Sequence, residues 1–173
     1  MHIRPLTDAD ATDYRALMLR AYTTAADAFT STADERAAEP LSYWVRRIAD
    51  PQGLGVALGA FDRGALVGTV ALEFNAKPKT RHKALLIGMF VDDACRGRGG
   101  GRALMDAALA CARARDGLTL VTLTVTQGNG AAIGLYQRCG FQPFGVEPMA
   151  ILTPEGYRSK VHMALVLSAS AAA

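Results

Sequence analysis

The chain has 173 residues, half of them apolar and a fifth charged, with a net charge of +3. That length suits one domain with a sizeable core, and so small a charge excess argues against nucleic acid as the main partner. The N-terminus lacks the apolar core of a secretory signal and no apolar run approaches membrane-spanning length, so a membrane partner is not expected.

Read in chain order, His2 to Leu6 is a short first strand. Thr7 caps a helix whose Tyr14, Leu17, Met18, Ala21 and Ala25 share one face. Ala28 to Glu39 is polar and fits neither period. Leu41 to Ile48 is a second helix with Trp44, Val45 and Ile48 inward, ended by Pro51-Gln52-Gly53. Val56–Phe61 and Ala65–Phe74 are strands joined by the hairpin signal Asp62-Arg63-Gly64. A polar loop, Lys77 to His82, precedes an apolar strand over Ala84–Val91. A helix from about Ala103 presents Leu104, Met105, Ala108, Leu109 and Ala112, and Asp116-Gly117 stops it. Leu118 to Val125 alternates apolar residues with threonine, as a strand does. A helix over Gly130–Arg138 ends at Gly140, and Phe141–Val146 and Lys160–Leu167 are the last strands, with Gly156 in the turn between them. One domain over residues 1–167 is expected, with one or two parallel crossovers and a frayed tail at 168–173.

Two stretches carry chemistry. The first is Arg96-Gly97-Arg98-Gly99-Gly100-Gly101-Arg102, which leaves an apolar strand and leads into a helix. Unpaired amides at a helix N-terminus, glycines that let a ligand approach the backbone, and arginines with forked donors together suit a phosphate. A P-loop is excluded because Arg102 and Ala103 stand where Lys and Ser or Thr are needed. The dinucleotide fingerprint is excluded because neither Gly97 nor Gly99, taken as its first glycine, finds a glycine at position six. What remains is Arg-x-x-Gly-x-Gly. The second stretch is Asn129 to Phe141, in which Asn129 caps a helix and Ala132, Leu135, Tyr136 and Cys139 share a face. Cys95, Cys111 and Cys139 lie far apart and the three histidines are scattered, so no metal is expected and free thiols point to a reducing cytoplasm.

At these residues the chain resembles the GNAT superfamily of N-acetyltransferases. Arg96, Gly99 and Gly101 match the family's cofactor motif. Asn129, Ala132, Leu135, Tyr136, Gly140 and Phe141 match its second motif, and the opening Ile-Arg-Pro-Leu-Thr-x-x-Asp is similar to its first strand and helix. The resemblance implies a mixed α/β fold: a twisted, mostly antiparallel sheet of six or seven strands, splayed at a cofactor cleft and flanked by about four helices. It implies acetyl transfer from acetyl-CoA to an amine of a small molecule or a protein, in a bacterial enzyme and by direct attack. Pyrophosphate would rest on the amides of Gly97, Arg98, Gly99, Gly100 and Gly101, with Arg96, Arg98 and Arg102 in reach. Backbone at Phe90 and Val91 would pair with the pantetheine arm, and the Val91 N–H would polarise the thioester carbonyl. Tyr136 would protonate the departing thiolate, and Asn129 would contact the cofactor, cap the helix, or do both.

The general base is less well marked. Many relatives carry a carboxylate where this chain has Leu86. Glu73 on the neighbouring strand is the first substitute, with His82 and His162 behind it, and attack through ordered water stays open. The acceptor pocket is expected from Ala21 to Glu39, from the Lys77–His82 loop and from the segment after Phe144, with Tyr22, Phe29, Trp44 and Tyr157 as lining candidates. The same fold would also suit a non-catalytic acyl-CoA-binding module, and a homodimer is compatible with either reading.

Overall fold

The computed structural model describes residues 1–167; the tail expected at 168–173 lies outside them. Seven strands form one sheet: β1 (His2–Pro5), β2 (Gly55–Asp62), β3 (Ala65–Phe74), β4 (Lys83–Val91), β5 (Leu120–Thr126), β6 (Gln142–Thr153) and β7 (Gly156–Val166). Five helices accompany them: α1 (Ala11–Thr24), α2 (Ala33–Ala37), α3 (Leu41–Ile48), α4 (Gly100–Arg113) and α5 (Gly130–Arg138). The strand order is β1-β2-β3-β4-β5-β7-β6. Every neighbouring pair is antiparallel except β4 with β5, which is the single parallel crossover.

The sheet separates two cores because successive strand residues face opposite ways. On β3, Val70 and Leu72 join Leu104, Met105, Ala108 and Leu109 of α4. Ala71 of the same strand faces Tyr14, Leu17 and Met18 of α1 and Trp44 and Ile48 of α3. The α1 stripe is the one read from the sequence. Trp44 proves to be fully buried core, not pocket lining, and stacks edge-on against Tyr14 at 5.9 Å. The start of α1 is held by Asp10, which accepts from the Thr7 amide at 2.8 Å and from both ends of the Arg4 guanidinium at 2.7 and 2.8 Å. This ties β1 to α1.

The pairing of β4 decides where the sheet opens. Against β3 its register advances three residues, Ile87 to Phe90, while β3 advances two, Ala71 to Thr69. The surplus is a β-bulge at Gly88, whose φ of +62° is a conformation that a side chain would strain. Against β5 only Lys83, Ala84 and Leu85 find partners, in Leu120, Val121 and Thr122. Beyond that rung the two strands part.

Three elements depart from their sequence patterns. α4 begins at Gly100, three residues before the apolar stripe predicts, because the first turn needs no partners for its own amides and Gly100 packs where a Cβ would stand 2.5 Å from Met1 Sδ. Ala28–Glu39 contains the short α2, capped reciprocally by Thr32 and Glu35. β6 and β7 are longer than the alternation suggested: β6 is an exposed edge with an irregular register between Glu147 and Ile151, so no buried face marks it.

Candidate active site

The parting of β4 and β5 leaves a cleft of about 350 Å³ that runs through the sheet, within the range of small-ligand sites. One wall is β4 from Leu86 to Met89, at the bulge. The opposite wall is Thr124 to Thr126 of β5 with Asn129, Ala132 and Tyr136. Ala28 to Ser31 lie along a third side, and the Thr126 hydroxyl fastens that segment by donating to the Asp27 carbonyl at 2.5 Å.

The glycine loop follows β4 toward α4, and a Cβ on its Gly101 would stand 3.4 Å from Met89, which lines the cleft. Gly97 and Gly99 hold φ values of +73° and +82°, and a Cβ on either would project into open space. The first amide after the loop to find an acceptor is that of Ala103, on Gly99 O at 3.0 Å. Among the described residues the amides of Gly97 to Arg102 meet no backbone or side-chain acceptor, and the α4 dipole adds positive potential there. A pyrophosphate fits these donors. The three arginines are already engaged. Arg96 meets Asp93 at 2.7 Å and donates to Val91 O at 3.1 Å; Arg98 meets Asp62 at 2.9 Å; Arg102 meets Asp106 at 2.8 Å. Each keeps about half of its side chain exposed, so the pairs leave donors free for an anion.

Tyr136 reaches the cleft from α5 with its ring against Phe141, centroids 6.1 Å apart. Its hydroxyl has no hydrogen-bond partner among the described residues. Burial pushes its pKa up to about 12, with a smaller push from Cys139. Asn129 caps α5, its Oδ1 accepting from the Ala132 amide at 3.1 Å, and lines the cleft as well. Glu73 lines the cleft on the α1–α3 side and makes no ion pair or hydrogen bond among the described residues.

Other sequence expectations fall elsewhere. Leu86 does line the cleft, so the position where relatives carry an acid is present but apolar. The side chains of Phe90 and Val91 are buried in the two cores, and the cleft-lining stretch of β4 is Leu86–Met89. Tyr22 and Phe29 line the cleft; Tyr157, at the exposed end of the β6–β7 hairpin, does not. The Lys77–His82 loop contributes no lining residue, and His162 pairs with Glu147 at 3.1 Å on the outer strands. Arg36 and Lys160, also in the cleft, lie in segments expected to form the acceptor pocket, while Arg47 is a residue that sequence reasoning missed. Nothing local marked Arg47; a basic residue on an amphipathic helix reads as a solvent-facing one.

Comparison with known proteins agrees with this geometry. Solved structures of similar fold include an acetyltransferase of the GNAT family from Streptococcus pneumoniae, 23% identical, with a TM-score of 0.80 over 96% of this chain and 99% of that one. The ribosomal-protein-alanine N-acetyltransferase of Brucella melitensis is 23% identical, with a TM-score of 0.79 over 96% of this chain and all of the other. The Salmonella typhimurium protein YncA, solved with its cofactor acetyl-CoA, is 22% identical, with a TM-score of 0.76 over all of this chain and 97% of that one. These likenesses speak for the fold. No curated protein sequence matches the chain. The acetyltransferase (GNAT) family matches residues 18–141, which include the glycine loop, the splayed strands and Tyr136. By that match and by the sheet that carries it, the chain belongs to the GNAT acetyltransferase family.

Proposed function

We propose that this protein is an acetyl-CoA-dependent N-acetyltransferase that acetylates a primary amine by direct attack in a ternary complex. The observation that carries the reading is the convergence of Tyr136, Glu73 and the β4 bulge on one cleft beside a loop of free amides. Acetyl-CoA, when bound, supplies the activated acetyl group.

The chain's own residues divide the work. The amides of Gly97 to Gly101 hold the pyrophosphate, and unpaired backbone at the Gly88–Met89 bulge polarises the carbonyl where negative charge develops. The acceptor nitrogen forms a C–N bond to the acetyl carbon while the C–S bond breaks. One proton leaves the nitrogen and one is taken up by sulfur, so the products are an amide and a free thiol. Glu73 receives the first proton, directly or through water. An alkylamine with a pKa near 10.4 gives up a proton at pH 7 at a cost of about 4.6 kcal/mol, and a carboxylate beside it lowers that barrier. Tyr136 serves the sulfur. A phenol at about 12 is a weak donor to a thiolate whose reference pKa is about 8.5. The same burial raises the thiolate, which narrows the gap. Tyr136 therefore arrives protonated, gives that proton to sulfur as the C–S bond breaks, and regains one from solvent.

Leu86 supports a second reading. An apolar side chain where relatives carry an acid suits a module that binds acyl-CoA without turnover. Incubating the purified protein with acetyl-CoA and a panel of amines, reading free thiol, separates the two. Thiol release supports the enzyme; acetyl-CoA binding without release across the panel supports the module.

A further inference from the structure

The cleft is unevenly charged. Its lining includes three cations, Arg36, Arg47 and Lys160, and one acid, Glu73. The two arginines belong to α2 and α3, on the face of the sheet opposite α4 and α5, so they stand where an acceptor would meet the thioester.

Their partners are incomplete. Arg36 donates to Ser31 Oγ at 2.7 Å and lies 3.9 Å from Glu39. Arg47 donates to the Tyr43 hydroxyl at 3.4 Å and also interacts with the Tyr14 hydroxyl, and no carboxylate pairs with it among the described residues. The Nε of each is out of solvent and has no acceptor. By contrast, each arginine of the glycine loop has its own carboxylate. A guanidinium always carries its charge, and its planar fork matches a carboxylate. Leaving buried donors unmet is costly, which favours a ligand that meets them.

Arg47 and Glu73 also share a wall. Both line the cleft, and both, with Ile87, line a second hollow on the α3 side. They make no salt bridge with each other, so a cation and an anion line the same walls without neutralising one another. We infer that the acceptor carries a carboxylate next to its amine, as an α-amino acid does: Arg47, with Arg36 beside it, holds the carboxylate, and Glu73 faces the amine. This rests on the acetyltransferase reading and names the substrate class for it.

The test compares α-amino acids with their matched α-carboxamides, alkylamines and a short peptide, in wild type and in Arg47→Gln and Arg36→Gln. Wild type is expected to turn over the amino acids at a kcat/KM about 30-fold or more above the carboxamides, the scale of one charge-paired carboxylate. Arg47→Gln is expected to abolish that preference mainly through KM, with acetyl-CoA affinity unchanged; Arg36→Gln gives a smaller loss. Arg47→Lys, which keeps the charge and loses the fork, serves if the Gln variant melts early, and is expected to recover part of the preference. Equal or better turnover of carboxamides, alkylamines or the peptide overturns the inference and leaves the acetyltransferase standing. So does a preference that survives Arg47→Gln. If no amine is acetylated, the acetyltransferase reading fails. Calorimetric titration of the amino acids into acetyl-CoA-saturated protein then decides: carboxylate-dependent binding lost in Arg47→Gln supports the anion site, and its absence in wild type overturns it.

Discussion

Leu85 of β4 and Thr122 of β5 form the last rung of the sheet's one parallel ladder. Past that pair, β4 turns through its bulge while β5 runs straight on toward Asn129, and the opening between them brings Tyr136 and Glu73 to a common cleft.

Tyr136→Phe removes the hydroxyl and leaves the ring on Phe141. The acetylation rate is expected to fall about 10²- to 10⁴-fold, the usual worth of a positioned acid. Acetyl-CoA affinity, read by calorimetry, is expected to stay within a factor of about three, since no charge or packing is lost. An unchanged rate would show that sulfur is protonated by another donor.

Glu73→Gln is expected to lower kcat/KM about 10²-fold at pH 7 and to leave acetyl-CoA binding intact. The loss should shrink as pH approaches the acceptor's own pKa, because the amine then arrives deprotonated. Tyr136 holds its proton up to about pH 12, so activity should rise with pH to a plateau without an alkaline fall due to this residue. A pH–rate profile of both enzymes checks the sign; a deficit that is constant at every pH would remove Glu73 from proton transfer.

Gly99→Val places a branched side chain at φ +82° in the open space where the amides converge. Backbone strain is expected to cost about 1–2 kcal/mol of stability, and the cradle is filled. Acetyl-CoA binding should be lost beyond the reach of calorimetry while the far-ultraviolet circular dichroism stays that of the wild type. Retained affinity would move the pyrophosphate elsewhere.

Asp10→Asn breaks the clasp between β1 and α1. It is expected to cost about 1–2 kcal/mol at pH 7, from a weakened cap and a lost charge-assisted fork. The Arg4 guanidinium, with help from the Thr7 amide and hydroxyl, holds the Asp10 carboxyl well below the usual carboxylate range. The folded state therefore prefers the ionised form, and the stabilisation is present above about pH 4 and drains away as pH falls further. Urea melts at pH 7 and at pH 3 should show the two proteins converging in acid; a gap that widens there would reverse the sign.

Much of the glycine loop and of α5 was legible in the sequence because their signals are local. Gly97 and Gly99 are needed for left-handed turns, Asn129 for a cap three residues from Ala132, and Gly140 for a helix stop. Each of these depends on a few neighbouring residues, so the pattern survives in one dimension. The helical stripes of α1 and α4 were legible for the same reason. The exposed edge strand β6 was only half legible, since most of its residues face solvent on both sides and carry no alternation.

The charged lining of the cleft obeys no such local rule. Arg36 stands on a five-residue helix and Arg47 on the last turn of α3, and each reads in sequence as an ordinary solvent-facing cation. Glu73 reads as a polar residue in an apolar run. Residues 36, 47 and 73 come together only because α3 packs on α1 and β2, α2 packs on α1, and the bulge at Gly88 opens the sheet beside them. By itself the sequence determined the family, the glycine turns before α4 and the Tyr136 helix, since turn chemistry and helical period are written in consecutive residues. The tertiary structure alone decided which charges share the cleft and which stay unpaired, since those are distances between segments that no spacing along the chain encodes.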